Sequence, residues 1–189
     1  KGIAQIEPRV LALLEDGNNG LPDSFRRLLE QLRQRLGALG RQQAELEVQI
    51  KDWHTQHEDS PRLATIPGVG PLSASALVAS VGSARTYKNG RQLSACLGMV
   101  PRQASSGGKT TLLGISKRGD SYLRTLLIHG ARAVVRQAQR APEKAEPWLR
   151  ELLRRRPTNV ATVALANRNA RVAWALLAHQ HDYRQPLTK

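Results

Sequence analysis

The chain has 189 residues, 29 Lys or Arg against 15 Asp or Glu for a net charge of +14, and only 4% aromatic residues. That size fits one large domain or two small ones, and the charge makes a polyanion, nucleic acid first, the expected partner. The single cysteine, Cys96, excludes an internal disulfide, no Cys/His set stands at zinc spacing, and no apolar run reaches the roughly 18 residues of a spanning helix, so a cytoplasmic chain off the membrane is expected. Residues 1–60 carry 8 basic and 10 acidic side chains, whereas residues 61–189 carry 21 and 5. The two parts therefore face different partners. From Arg85 to Arg136 there are ten Lys or Arg and one acid, Asp120, too steep a bias for an ordinary surface of mixed sign. The first residue is Lys1 and not Met, so the chain is expected to be the remainder of something longer.

In chain order, residues 1–14 show a short helical pattern that Asp16-Gly-Asn-Asn-Gly20 ends. From Asp23 or Ser24 as N-cap, Phe25, Leu29, Leu32, Leu36, Leu39, Gln43, Leu46, Ile50 and Trp53 alternate steps of four and three. A seam this narrow suits a partner helix better than a globular core, and the helix is expected to make a homo-oligomer or to pair within the chain. It spans roughly 42 Å at the standard rise. A boundary at His57-Glu-Asp-Ser-Pro61 separates this helical arm, residues 1–60, from a compact body, residues 61–189. The body reads as brief helices between glycine turns: Leu72–Val81 opened by Pro71, then Gln92–Leu97, Asp120–Gln139, Trp148–Arg155 and Val160–His179. No sustained strand alternation appears, so the fold class is all-α: a long N-terminal coiled-coil-type helix followed by a compact helical domain.

Leu63-Ala-Thr-Ile-Pro-Gly-Val-Gly-Pro71 has the apolar-Pro-Gly-apolar-Gly order of a helix-hairpin-helix. Gly68 and Gly70 let two helices turn tightly, leaving amides at the second helix's start that suit a phosphate; a tight turn without ligand is the alternative. Arg62 would add charge nearby. The stretch Leu97-Gly-Met-Val-Pro-Arg-Gln-Ala-Ser-Ser-Gly-Gly-Lys109, followed by Ile115-Ser-Lys-Arg-Gly-Asp120, sets Ser105 and Ser106 among Arg102, Lys109, Lys117 and Arg118. Cleaving a phosphodiester needs positive charge on the phosphate oxygens, a route for the proton and usually a metal. The loop supplies charge but no base, and by composition alone the two serines read as turn residues. Gly-Gly-Lys-Thr-Thr111 lacks the earlier glycine and strand context of a phosphate loop, which excludes nucleotide hydrolysis.

These motifs, in the order Ile-Pro-Gly-Val-Gly-Pro, Tyr87-Lys-Asn-Gly-Arg-Gln-Leu, Leu-Gly-Met-Val-Pro-Arg, Ser-Ser-Gly-Gly-Lys, Ile-Ser-Lys-Arg-Gly-Asp-Ser-Tyr-Leu-Arg and Val163-Ala-Leu-Ala-Asn-Arg-Asn-Ala-Arg-Val-Ala-Trp174, form a pattern. It resembles the C-terminal half of bacterial insertion-sequence transposases of the one-hundred-and-ten family. The resemblance covers about residues 61–183, and the helix before it looks like that family's connecting segment. It implies a DNA recombinase guided by a structured RNA, in which an N-terminal RuvC-like domain with four acidic, magnesium-binding residues works with a serine of the C-terminal domain. That serine falls on Ser106, with Ser105 the neighbouring alternative, and attack would leave a phosphoserine and a free 3′ hydroxyl.

The expected nucleic-acid-binding residues are Arg62, Gly68, Gly70, Arg102, Lys109, Lys117, Arg118 and Arg124, with DNA and the element's guide RNA as partners. This chain departs from the family in having no acidic tetrad, so magnesium belongs to a missing N-terminal domain and no cofactor or metal ligand is expected here. Alone, the chain is expected to bind nucleic acid without cutting it. The rival reading is a non-catalytic helix-hairpin-helix module in which Ser106 is only a turn residue; an RNA-chaperone-like protein would rest on charge alone.

Other residues read more plainly. His54, His57, His129, His179 and His181 lack ligand spacing and are expected to be structural or solvent-facing, with His129 a candidate phosphate contact. Arg154-Arg-Arg156 suits a helix end or a polyanion equally. Trp53, Trp148 and Trp174 are expected to fill core or seam, and Cys96, between Ala95 and Leu97, to be a buried small hydrophobe.

Overall fold

In the computed structural model, residues 5–106 and 109–183 are described, apart from the side chains of 106, 109 and 110. The chain divides into two compact units, Lys1–Gln49 and Ile50–Lys189. Among the described residues it is mostly helical, with one two-stranded sheet.

The first unit contains α1 (Ile6–Glu15) and most of α2 (Asp23–Gln56). Helix ends leave carbonyls without intrahelical partners. Arg26 of α2 meets this need for α1, donating to the carbonyls of Leu14 at 3.0 Å and Asp16 at 2.7 Å. No residue of either helix is buried, and Phe25, Leu32, Leu36, Leu39 and Leu46 of the expected seam are all exposed. The polar Gln43 on that seam donates to Glu47 at 3.0 Å, along its own helix.

The second unit adds α3 (Asp59–Ala64), α4 (Pro71–Val81), α5 (Gly90–Cys96), the strands β1 (Pro101–Ser106) and β2 (Lys109–Ile115), α6 (Ser121–Arg140), α7 (Pro147–Arg155) and α8 (Thr158–His179). The long helices are α6 and α8. Leu123, Leu127, Ala131, Val135 and Ala138 recur on one face of α6, and that face is buried. Asp120, the lone acid of the basic stretch, is spent on capping: its carboxylate accepts from the Leu123 N–H at 2.9 Å. Helix α8 carries Ala161, Leu165, Ala166, Ala170, Ala173 and Leu176 inside, and packs against α3, α5, α6 and α7. Its alanines keep helices close; at Gly90, a side chain would strike the backbone of Arg171.

The strands differ from the loop read in the sequence. β1 pairs antiparallel with β2, Ala104 opposite Thr111, Ser105 opposite Thr110 and Ser106 opposite Lys109, with a register shift between Pro101 and Gln103. Period-two alternation marks a strand with one face in a core. Here the described side chains from Pro101 to Gly114 are exposed, Leu112 at 67%, so the hairpin leaves no such trace. Gly-Gly between two short runs was the available signal.

Candidate nucleic-acid interface

The turn between α3 and α4 is built from both long helices. Gly68 has φ +86°, a left-handed conformation natural to glycine, and a side chain there would press on the carbonyl of Gly130 in α6. The contact is reciprocal: a methyl on Gly130 would overlap the Gly68 carbonyl oxygen. Asn169 of α8, only 4% exposed, donates to the Pro67 carbonyl at 2.8 Å. The turn is thus pinned on its inner side. Gly70, on the outer side, is exposed and precedes Pro71 at the start of α4, and a methyl on it would meet nothing within 4 Å. Its end of α4 has no side-chain cap.

The base of the hairpin is held as closely. Ser116 N–H donates to Val100 at 2.8 Å and Lys117 N–H to Gly98 at 3.0 Å. Asn167 of α8 donates to the Met99 carbonyl at 2.9 Å, and Arg124 of α6 to the Leu97 carbonyl at 3.0 Å. Gly98 and Gly119 both have positive φ, and side chains there would collide with the backbones of Arg118 and Cys96. Lys117 sits at φ +56°, unusual for a residue with a side chain.

The expected binding residues consequently fall into groups. Arg102, Lys117 and Arg118 are exposed, and no described acid pairs with them. Arg62 is already engaged, by Asp59 and by Asp182 at 3.8 Å. Arg124 spends its guanidinium on backbone carbonyls. Ser105 is exposed, and its hydroxyl accepts from Gln103 at 3.1 Å. Ser106 ends β1 opposite Lys109; the side chains of both lie outside the described residues.

His129 is exposed on α6, with Arg132 and Arg136 three and seven positions on along the same face. Other histidines have local partners: His54 bonds Ser60 at 2.7 Å, His57 stacks on Trp53, and His179 meets Trp174 edge-on. Arg154 pairs with Glu151 at 3.2 Å while Arg155 and Arg156 are exposed. Among the described residues no three His, Cys, Asp or Glu gather as a metal site, and no helix is long and apolar enough to cross a membrane.

Two side-chain readings are corrected. Cys96 is exposed, its sulfur 4.0 Å from the Tyr87 hydroxyl: Leu93 and Leu97, four apart, are buried, while Ala95 and Cys96 between them are exposed. Trp148 stays partly out, with Leu149 buried in its place. Trp174 does pack on the core, and its indole N–H reaches the carbonyls of Ala84 and Tyr87. What the sequence reading missed is the positioning set Asn167, Asn169 and Gly130. The signal was two amides in an alanine-rich helix, where a buried polar group must find a partner.

Comparison with known proteins bears on this geometry directly. Residues 60–148, from α3 through the hairpin and α6 to the start of α7, match the model of the transposase IS116/IS110/IS902 family. The chain belongs to this family. It is 51% identical over 164 residues to a Pseudomonas aeruginosa protein named "Probable family 20 transposase", covering 87% of this chain and 48% of that one. It is 48% identical to the transposase for insertion sequence element IS1111A of Coxiella burnetii, over 87% of this chain and 45% of that one. With the transposase for insertion sequence element IS1328 of Yersinia enterocolitica it shares 40% identity, over 93% and 52%. The chain spans about half the length of these relatives.

Proposed function

We propose that this chain is the nucleic-acid-engaging, serine-bearing part of an RNA-guided insertion-sequence transposase, with Ser106 as nucleophile. The observation that carries the reading is the hairpin: an exposed β-ribbon ending its first strand on Ser106, fixed at its base by Asn167 and flanked by Arg102, Lys117 and Arg118, cations with no ion pair among the described residues. Those cations and Lys109 offset phosphate charge at the reacting centre. Gly70 and the helix-hairpin-helix turn hold a neighbouring stretch of backbone without reading bases. Arg62 and Arg124, already bonded, contribute charge at longer range, and Gly68 shapes the turn.

In the reaction the Ser106 oxygen bonds to phosphorus as the P–O3′ bond breaks. The hydroxyl proton passes to a general base, the departing 3′ oxygen takes up a proton, and a phosphoserine and a 3′ hydroxyl result. No Asp, Glu or His stands between Arg85 and Asp120 in the sequence, and among the described residues no three His, Cys, Asp or Glu gather as a metal site, so a general base and a magnesium site would have to come from outside the hairpin. On this reading, both belong to the RuvC-like domain of the longer protein. The exposed stripe of α2 supports pairing with a second copy of the chain.

The test is strand exchange by the full-length protein with its RNA. Ser106→Ala is expected to abolish both exchange and the covalent adduct, and Ser105→Ala to retain them. Intact exchange by Ser106→Ala would leave a non-catalytic binding module; loss in Ser105→Ala alone would move the nucleophile by one residue.

A further inference from the structure

Two adjoining depressions run along the outward face of α8 and share Ala164 and Asn167. Val160, Ala164, Asn167 and Arg171 follow at steps of four, three and four, so they line one face, about 16 Å from end to end at the standard rise. One end meets the hairpin base at Arg102, Leu113 and Lys117; the other meets Arg91 and Trp148. No carboxylate lines either depression. Arg91, Arg102, Lys117 and Arg171 are exposed and have no ion pair among the described residues. Arg168 is the exception: Glu146 holds it at 2.7 Å, and its guanidinium lies 4.8 Å over the Trp148 ring, which fixes the indole at the groove's edge. Leu113, Trp148 and Val160 remain exposed.

We propose that this groove is a path for unpaired nucleic acid, with bases against its apolar floor and phosphates on the cations at its two ends. The inference rests on the nucleic-acid reading given above and specifies the form of the ligand. A duplex turns its charged backbone outward and would use the cations but not the floor. An unpaired strand also offers base faces, which stack on aromatic and apolar side chains whatever their sequence. A groove with cations at both ends and no acid fits the second description.

The test is fluorescence anisotropy of the 189-residue chain with a labelled unpaired oligonucleotide, as RNA and as DNA, and with a duplex of the same sequence at the same salt. Val160→Asp combined with Arg171→Glu alters the groove at exposed positions; Ala133→Asp with Arg136→Glu makes the same charge change on the exposed side of α6. The groove variant is expected to bind the unpaired strand at least tenfold more weakly, with duplex affinity no lower than in the control variant. In addition, Trp148→Phe should reduce the fluorescence quenching produced by the unpaired strand, and Arg171→Ala alone, a milder change, should show the same selective loss. Equal weakening by groove and control variants, or an unaffected unpaired strand, overturns the proposal. If the wild-type chain binds duplex but no unpaired strand, the groove assignment fails and the nucleic-acid reading survives. If it binds neither, both fail.

Discussion

Gly68 and Gly130 meet backbone to backbone, and this contact sets the inner side of the turn between α3 and α4. A methyl on Gly130 has nowhere to go except against a carbonyl in the main chain, which no side-chain rotation relieves. Gly130→Ala should therefore destabilise the chain by about 4 kcal/mol or more in urea unfolding, in the range reserved for overpacked or strained core sites. Gly70→Ala, at an open position with φ −91°, should cost no more than about 1 kcal/mol. Similar costs at the two sites would contradict the packing. Glu30 offers a separate check within the first unit. Arg33 approaches its carboxylate with two nitrogens at 2.7 and 2.8 Å, and Gln34 adds a third bond at 2.8 Å. The Arg33 hydrogen bonds, then Gln34, hold the carboxyl down at about 2 instead of 4.5. Its contribution to stability is thus complete above the ordinary carboxylate value and is lost as pH falls through about 2. Carbon-13 titration of the Glu30 carboxyl should show that low midpoint, and a midpoint near 4.5 would contradict the bonding.

At the level of elements, sequence periodicity located the longer helices because each has one face to bury or a seam to pair, whereas the six-residue α3 begins inside the stretch read as a boundary. Asp120, read as the first residue of α6, is instead its N-cap, while Pro71 as the first residue of α4 was legible for a local reason. The hairpin was not, since a ribbon exposed on both faces imposes no alternation, and the tethers from Asn167 and Asn169 were not, since their partners lie 68 and 102 residues away. Lys117 at the hairpin base is held in a left-handed conformation that costs an L-residue roughly 1–2 kcal/mol. Lys117→Gly should leave stability unchanged or raise it by up to about 1 kcal/mol, the added freedom of glycine in the unfolded chain offsetting part of the relief. The same change should weaken nucleic-acid binding. Loss of stability in thermal unfolding would show that the backbone there is unstrained. Helix α2 makes the converse point: the seam was visible, and all 34 residues stay clear of a core. Leu32→Glu with Leu39→Glu should convert an associating chain into a monomer in analytical ultracentrifugation without lowering helix content. A monomeric wild type, or unchanged association in the variant, would remove α2 as the pairing surface.

Across the whole molecule the charge is divided as the composition indicated, with 21 of 29 Lys and Arg in residues 61–189. Charge alone did not separate cations that are available from those already used. Arg62, Arg124 and Arg168 are engaged by carboxylates, carbonyls or an indole, while among the described residues Arg102, Lys117 and Arg118 have no ion pair. That difference depends on folded contacts between distant residues, and the family likeness over residues 60–148 carries no information about it. It is also what most directly tests whether the hairpin is where phosphate is held. Each phosphate contact contributes about one unit to the slope of log affinity against log salt. Measured on duplex DNA over a range of salt, a variant with Arg102, Lys117 and Arg118 all changed to alanine should lower the magnitude of the wild-type slope by about three. An unchanged slope would place the phosphate contacts elsewhere and contradict the assignment of the hairpin.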